Sequence, residues 1–380
     1  MGEDMPFVPF VSVIIAVKDE GATIRTTLDA MRLQKYPHDR FEVIIVDGGS
    51  RDGTIDYIEN YIREHASDRD SVNMRLISGI PRRGPSDARN AGVLESKGEI
   101  IAFTDGDCVP SKNWLEELIP PYSDEDVGGV GGALRYVDLK NSLSRLEDLF
   151  AMANYRGFIT SNMSYRKEAF IEVGMFDESL CCAEDADVYL RIRDAGWRVV
   201  YVDGAEVYHD PPENRSWYEY TKKQFWFAKS DVGMIKKRLG LLVKDRYMKE
   251  QKGKLERTSS WRYFANWFLP AFSDIFLILS LVVFLVAFYI PFLSIIGVAI
   301  FGLWILTICY VLYWRISNLS RISEKVRYEN KMYLYFLYPF YVLWMCIVRG
   351  LGSIWGWLGI FSVFEYRARK DAKKSSAVPQ

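Results

Sequence analysis

Two aspartates, Asp105 and Asp107, close an apolar run, Ile100-Ile-Ala-Phe-Thr104, with one glycine between them. Carboxylates two positions apart on an extended backbone share a side, and Gly106 lets a bulky group approach the main chain. Two hard oxygen donors so arranged can hold Mg2+ or Mn2+ against a diphosphate. The same Asp-Gly pattern also makes ordinary surface turns. A second acidic pair, Glu184-Asp185, opens a stretch with Val188, Leu190 and Ile192 as the apolar face of a helix. Acids in a first helical turn are favoured by the dipole. A carboxylate at a helix start facing a sugar cleft is also placed to act as a general base. His209, one of 3 histidines, follows the strand-like Gly196-Trp-Arg-Val-Val-Tyr-Val202. A histidine at such a strand end is either structural or a third metal ligand.

Alternating apolar strands and helices supply the ends on which these groups sit. Val11–Val17, Phe41–Val46, Met74–Ser78 and Ile100–Thr104 read as strands. Thr23–Gln34, a segment ending near Glu64, and Asp87–Ser96 read as helices. This alternation predicts an α/β fold with a parallel sheet and right-handed crossovers. The first, second and fourth strands lead to Glu20, to Asp47 and Asp52, and to Asp105 and Asp107. Acids therefore surround one crevice at the carboxyl ends of strands, where open α/β sheets bind ligands. Helix capping is the other account of Asp52. An acidic crevice suits the hydroxyl and N–H donors of a ribose and a base edge, together with a cation. The phosphate loops GxGxxG and GxxxxGK[ST] are absent from the sequence, so dinucleotide and P-loop chemistry are not supported. Further on, Gly128–Tyr136 reads as a glycine-rich strand or a loop, Leu143–Tyr155 as an amphipathic helix, and Thr160–Arg166 as a small-residue stretch open to a ligand.

The chain has 380 residues, with 48 Lys+Arg against 49 Asp+Glu, so no global charge favours nucleic acid. Its 5 cysteines, Cys108, Cys181, Cys182, Cys309 and Cys346, form no CxxC pair. That argues against a disulfide framework or a zinc site and fits a reducing compartment. The amino terminus lacks the basic flank of a secretory signal. Composition then changes: residues 272–364 are strongly apolar and aromatic. Ile275–Trp314 carries no charge, and Pro291 divides it into two expected membrane helices, about 275–290 and 292–314. The run 333–364, interrupted at Arg349-Gly350, reads as re-entrant or interfacial helices. Basic segments at 315–331 and 367–374 are expected on the cytoplasmic side, giving an even number of crossings. Between Lys222 and Arg262, Lys and Arg far outnumber the acids among interleaved aromatics. An amphipathic connector on anionic membrane lipids is the favoured reading, with a nucleic-acid patch as the alternative. Arg349 at membrane depth would meet a lipid phosphate or snorkel to the headgroups.

Residues 11–210, with a tail to about 233, resemble the family 2 glycosyltransferases of GT-A fold. The resemblance rests on Val11-Ser-Val-Ile-Ile-Ala-Val-Lys-Asp-Glu20, Val46-Asp-Gly-Gly-Ser-Arg-Asp-Gly-Thr54, Gly84-Pro-Ser-Asp-Ala-Arg-Asn-Ala-Gly92, the DxD motif Thr104-Asp-Gly-Asp-Cys108, Ser161-Asn-Met-Ser-Tyr-Arg166 and the ED motif Glu184-Asp185, in that order. It implies a UDP- or GDP-sugar donor, with nucleotide-binding roles for Glu20, Asp47, Asp52, Arg89 and Asp105. It further implies that Asp107 binds metal directly, that Asp105 holds ribose or metal, that Asn162 and Arg166 lie on the acceptor side, and that Asp185 beside Glu184 is the catalytic base. Where members that add sugars repeatedly carry QxxRW, this chain has Gln224-Phe-Trp-Phe-Ala-Lys229. A single addition is therefore expected, with Trp217–Asp231 as a lid that brings Lys222 or Lys223 near phosphate.

The expected organisation is a cytoplasmic GT-A domain at 1–233, an interfacial connector at 234–271, a membrane domain at 272–364 and a basic tail at 365–380. The expected activity is transfer, with inversion, from a nucleotide sugar to a lipid-linked acceptor, Arg349 lying on the acceptor side. A soluble or polysaccharide acceptor, a catalytically silent nucleotide-sugar subunit and a small transporter are the rival readings.

Overall fold

The computed structural model describes residues 7–68, 71–79, 84–136, 142–154, 159–180, 182–209, 216–228, 232, 279–280, 283, 293–321 and 337–358. The chain divides into two compact units, Met1–Pro212 and Glu213–Gln380.

The first unit is built on an eight-stranded sheet of order β3-β2-β1-β4-β7-β6-β8-β5. β1 (Val11–Val17), β2 (Phe41–Asp47), β3 (Asn73–Ile77) and β4 (Ile100–Asp105) run parallel. β7 (Met163–Arg166) is antiparallel to β4, and β6 (Val127–Tyr136) is antiparallel to β7. β8 (Arg198–His209) runs parallel to β6, and the short β5 (Cys108–Pro110) closes the edge antiparallel to β8. Every strand expected from an apolar run is present, and the glycine-rich 127–136 is a strand. The chain winds outward from β1 to β3 and returns to β4 on the other flank of β1. The β1–β4 junction is thus the point where strand order reverses, the usual place for a ligand crevice.

Both faces of the sheet are covered, as near-continuous apolar strands require. On one face Val11, Val13 and Ile15 of β1 pack with Ile24, Leu28 and Met31 of α1 (Ile24–Arg32) and with Trp114 and Leu118 of α4 (Trp114–Leu118). On the other, Ile14 and Phe103 pack with Val93 of α3 (Pro85–Leu94), Phe170 of α6 (Lys167–Glu172), and Val188 and Ile192 of α7 (Glu184–Asp194). α2 (Thr54–His65) covers the β3 edge through Ile58 and Tyr61, and α5 (Ser142–Asn154) lies against β6. Gly92 brings α3 unusually close to β1, since a Cβ there would meet Ile14 Cγ2 at 2.7 Å.

In the second unit, helical residues 217–228 lie along the helix Tyr338–Leu358. Tyr220 stacks on Trp344 and pairs hydroxyl to hydroxyl with Tyr341, while Trp217 meets Trp344 edge-on. Gly352 is the point of closest approach, where a Cβ would meet the Phe225 carbonyl at 2.3 Å. The tail expected to complete the first domain therefore packs within the second unit. The expected pair of helices over 333–364 is, where described, one continuous helix that passes through Arg349-Gly350 without a break. Arg349 is 7% exposed and donates to Gln224 Oε1 at 3.0 Å. Its guanidinium is turned inward to a buried amide, not outward to headgroups or an acceptor.

The helix Leu293–Arg321 covers the second expected membrane span and continues past Arg315. Among the described residues, no helix is long and apolar enough to cross a membrane. The first expected span falls almost wholly outside the described residues, as do the 234–271 connector and the 365–380 tail.

Candidate active site

The acids converge at the strand-order reversal. β4 ends at Asp105, the chain turns through Gly106, and Asp107 follows. Gly106 is required by the protein itself, because a Cβ there would lie 2.0 Å from Glu20 Oε2. The bulky group admitted by this glycine is thus the carboxylate delivered by β1. From α1, the buried Thr27 hydroxyl lies 2.9 Å from the Gly106 carbonyl and 2.6 Å from that of Cys108, so it fastens the turn.

β5 then brings in His209. Cys108 pairs with His209 across the β5–β8 ladder, which leaves His209 Nε2 3.3 Å from Asp107 Oδ2. Asp107, Cys108 and His209 each present a ligating atom within 4.8 Å of the others. Burial pushes the Cys108 thiol well up, with Asp105 and Asp107 adding to it; a thiol so held is a poor ligand. Burial works against ionisation of Asp107, but the hydrogen bond and charge of His209 hold its carboxyl below the ordinary value. Two buried polar atoms, Glu20 Oε2 and His209 Nδ1, have no hydrogen-bond partner. Burial, followed by the charges of Asp107 and Asp105, raises Glu20 to about 8. A surplus of carboxylate with an imidazole beside it is a donor set that fits a divalent cation.

The DxD turn and the ED motif meet through one guanidinium. Arg89 Nη2 donates to Asp105 Oδ1 at 2.7 Å, and Nη1 donates to Glu184 Oε1 at 2.9 Å. Burial opposes the charge on Arg89, yet the Asp105 and Glu184 carboxylates hold it firmly protonated. Asp185 opens α7 beside this pair and accepts from the Ala186 N–H at 2.7 Å. Its charge adds to burial in raising the Tyr165 hydroxyl. Asp105 of the DxD turn and Glu184, the neighbour of Asp185 at the start of α7, are thus joined through Arg89. Groups of these types can hold a cation against a departing anion and accept a proton.

The other expected site residues are placed differently. Asp52 accepts from Gly21 N at 3.2 Å and Thr54 N at 3.1 Å, and so ties the loop after β2 to the loop after β1. Asp47 is 2% exposed and accepts from Gly49 N and Ser50 N, so its carboxylate is taken up by its own turn. Asn162 is 1% exposed; its amide donates to the carbonyls of Ala133 and Ala205 and accepts from the Trp114 indole. It holds β6, β8 and α4 together and has no face left for an acceptor. Arg166 pairs in register with Ile100, at the start of β4, whereas Asp105 is at the other end. There it donates to the carbonyls of Tyr122 and Val127. Lys222 and Lys223 belong to the helical 217–228 of the second unit.

Two contributors were not singled out from the sequence. Thr27 is a hydroxyl on the otherwise apolar face of Ile24, Leu28 and Met31, which was the available signal. β5 has only three residues and left none.

Residues 12–176 match Glycosyl transferase family 2, and residues 100–348 match Glycosyl transferase family group 2. Glycosyltransferase AglE of Haloferax volcanii is 31% identical over 232 residues, which cover 59% of this chain and 73% of that protein. Beta-monoglucosyldiacylglycerol synthase of Nostoc is 32% identical over 122 residues, 32% of this chain and 25% of that one. Among solved structures, the mannosyltransferase PcManGT from Pyrobaculum calidifontis, in complex with GDP-Man and Mn2+, aligns with a TM-score of 0.56 at 19% identity, covering 92% of this chain and 88% of that one.

Proposed function

This chain belongs to glycosyl transferase family 2, and from that premise we propose that it moves a sugar, with inversion, from a nucleotide-sugar donor to a lipid-linked acceptor at a membrane surface. The observation that carries the reading is the Arg89 bridge, which ties the DxD strand end to the start of α7.

Asp107 and His209 would hold the cation, Mg2+ or Mn2+, with Glu20 against the same turn. Held there, such a cation would supply charge neutralisation to a departing diphosphate. Because His209 adds an imidazole to oxygen donors, Mn2+ suits the site better than Mg2+. Asp185 takes the proton from the acceptor oxygen as that oxygen attacks the anomeric carbon. One base opposite the leaving group means one displacement, hence inversion. Within the donor site, Asp52 and the backbone it ties at Gly21 form the wall for the nucleoside.

The membrane part of the reading rests on the uncharged run Ile275–Trp314 and on exposed apolar side chains of the second unit, including Val298, Leu306, Tyr313 and Phe340. Exposed apolar side chains of this kind suit a membrane or protein contact. A diacylglycerol-based product in the name of the Nostoc relative also favours a lipid acceptor.

The test is a panel of UDP- and GDP-sugars screened for Mn2+-dependent nucleoside diphosphate release, with and without polyprenyl phosphate and diacylglycerol. Release stimulated by one lipid, with label appearing in the organic phase, is the expected result. Stimulation by a soluble glycan alone would move the acceptor out of the lipid. No release from any donor in the intact protein would leave the silent-subunit reading.

A further inference from the structure

The resemblance implies that Arg89 contacts the nucleotide. We propose a different role, resting on the transferase reading of the site: Arg89 is a positioning residue that fixes the base-bearing start of α7 against the DxD strand. Its side chain is 7% exposed, and each terminal nitrogen donates to a different carboxylate, Glu184 and Asp105. The third nitrogen, Nε, is buried without a partner. The guanidinium carbon, Cζ, also lies 5.8 Å from the Phe176 ring centroid.

The next residue of α3 grips the other end of the same segment. Asn90 Nδ2 donates to the Phe176 carbonyl at 2.8 Å and to Glu178 Oε1 at 3.2 Å, and Asn90 Oδ1 accepts from Phe176 N at 3.0 Å. Between these grips the chain passes through Ala183 at φ +64, a left-handed backbone that a residue with a Cβ adopts only when held there. α3 itself is set by the close contact of Gly92 with β1. Consecutive residues Arg89 and Asn90 therefore hold Glu184 on one side and Phe176 and Glu178 on the other, and set where Asp185 stands relative to Asp105. Without the guanidinium, Asp105 and Glu184 would face each other as like charges, and the start of α7 would move away. A shift of about 1 Å in a base costs on the order of 100-fold in rate.

A double-mutant cycle on kcat at saturating donor, with Arg89→Met, Glu184→Gln and both, tests this. Each single change should lower kcat by about 10–100-fold, and the double change no further than the worse single one. Affinity for Mn2+ with GDP, and for Mn2+ with UDP, should stay within about threefold of the parent, less than 1 kcal/mol by the affinity relation. Losses that multiply, or a tenfold loss of nucleoside diphosphate affinity with kcat retained, would overturn the proposal. Arg89→Lys supplies one charge that cannot span both carboxylates; it is read in the same way if Arg89→Met does not fold. Amide exchange at residues 183–187 in the ligand-free protein separates this proposal from the transferase reading. Faster exchange there in both single variants is expected whether or not any donor turns over, and unchanged exchange would sink the positioning role alone.

Discussion

His209 Nε2 lies 3.3 Å from Asp107 Oδ2, and the imidazole Nδ1 is buried with no partner of its own. If these two side chains form the cation site, each is needed for metal affinity. Asp107→Ala should abolish metal-dependent diphosphate release. His209→Ala should weaken Mn2+ binding by at least about tenfold, read by calorimetry and by metal titration of turnover. Parental Mn2+ affinity in His209→Ala would remove the histidine from the site.

If Asp185 is the base, Asp185→Asn keeps the shape of the α7 start and removes the proton acceptor. kcat should drop by about 100- to 10,000-fold while donor affinity is retained. Glu184→Gln, which loses a brace, should drop less. A variant with Asn at 185 that turns over at the parental rate would place the base elsewhere.

Glu20 gives a stability test with a definite sign. Burial, then Asp107 and Asp105, raises its carboxyl from 4.5 to about 8. The native state thus binds this proton more tightly than the unfolded chain. Its contribution is fully present below pH 4.5 and is lost as pH rises towards about 8. In chelator, the melting temperature should fall over that window, and the fall should be shallower in Glu20→Gln. Saturating Mn2+ should flatten the slope, because a cation favours the carboxylate. A slope identical in parent and Glu20→Gln would exclude Glu20 as its source.

Asn162 separates scaffold from substrate contact. Its amide serves the Trp114 indole and the carbonyls of Ala133 and Ala205. Asn162→Ala should cost about 2–4 kcal/mol of unfolding free energy through buried groups left unpaired, measured by urea titration. Unchanged stability with a raised acceptor KM would restore the acceptor-side assignment.

Much of the first unit could be read from pattern because strands buried on both faces are nearly uninterrupted apolar runs, as in Val11–Val17 and Phe41–Val46. The acids at their ends were legible for the same reason, since a carboxylate stands out against such a run. What was not legible was the partner of each acid. Asn162 and Arg166 sit in a small-residue stretch that looks open to a ligand, but β7 runs antiparallel to β4, which buries one and carries the other to the far end of the sheet. Arg349 appeared as a charge stranded in an apolar helix. Its Gln224 partner lies on a different helix, beyond the reach of any local periodicity.

The pairing of Cys108 with His209 joins an early strand to the last strand of the sheet. A nascent chain that has emitted β1 to β5 already carries Glu20, Asp105 and Asp107, yet it lacks the imidazole. If Asp107 and His209 form the cation site, it is completed only when the final strand docks, and carboxyl-terminal truncations that stop short of β8 should bind metal more weakly than the full chain.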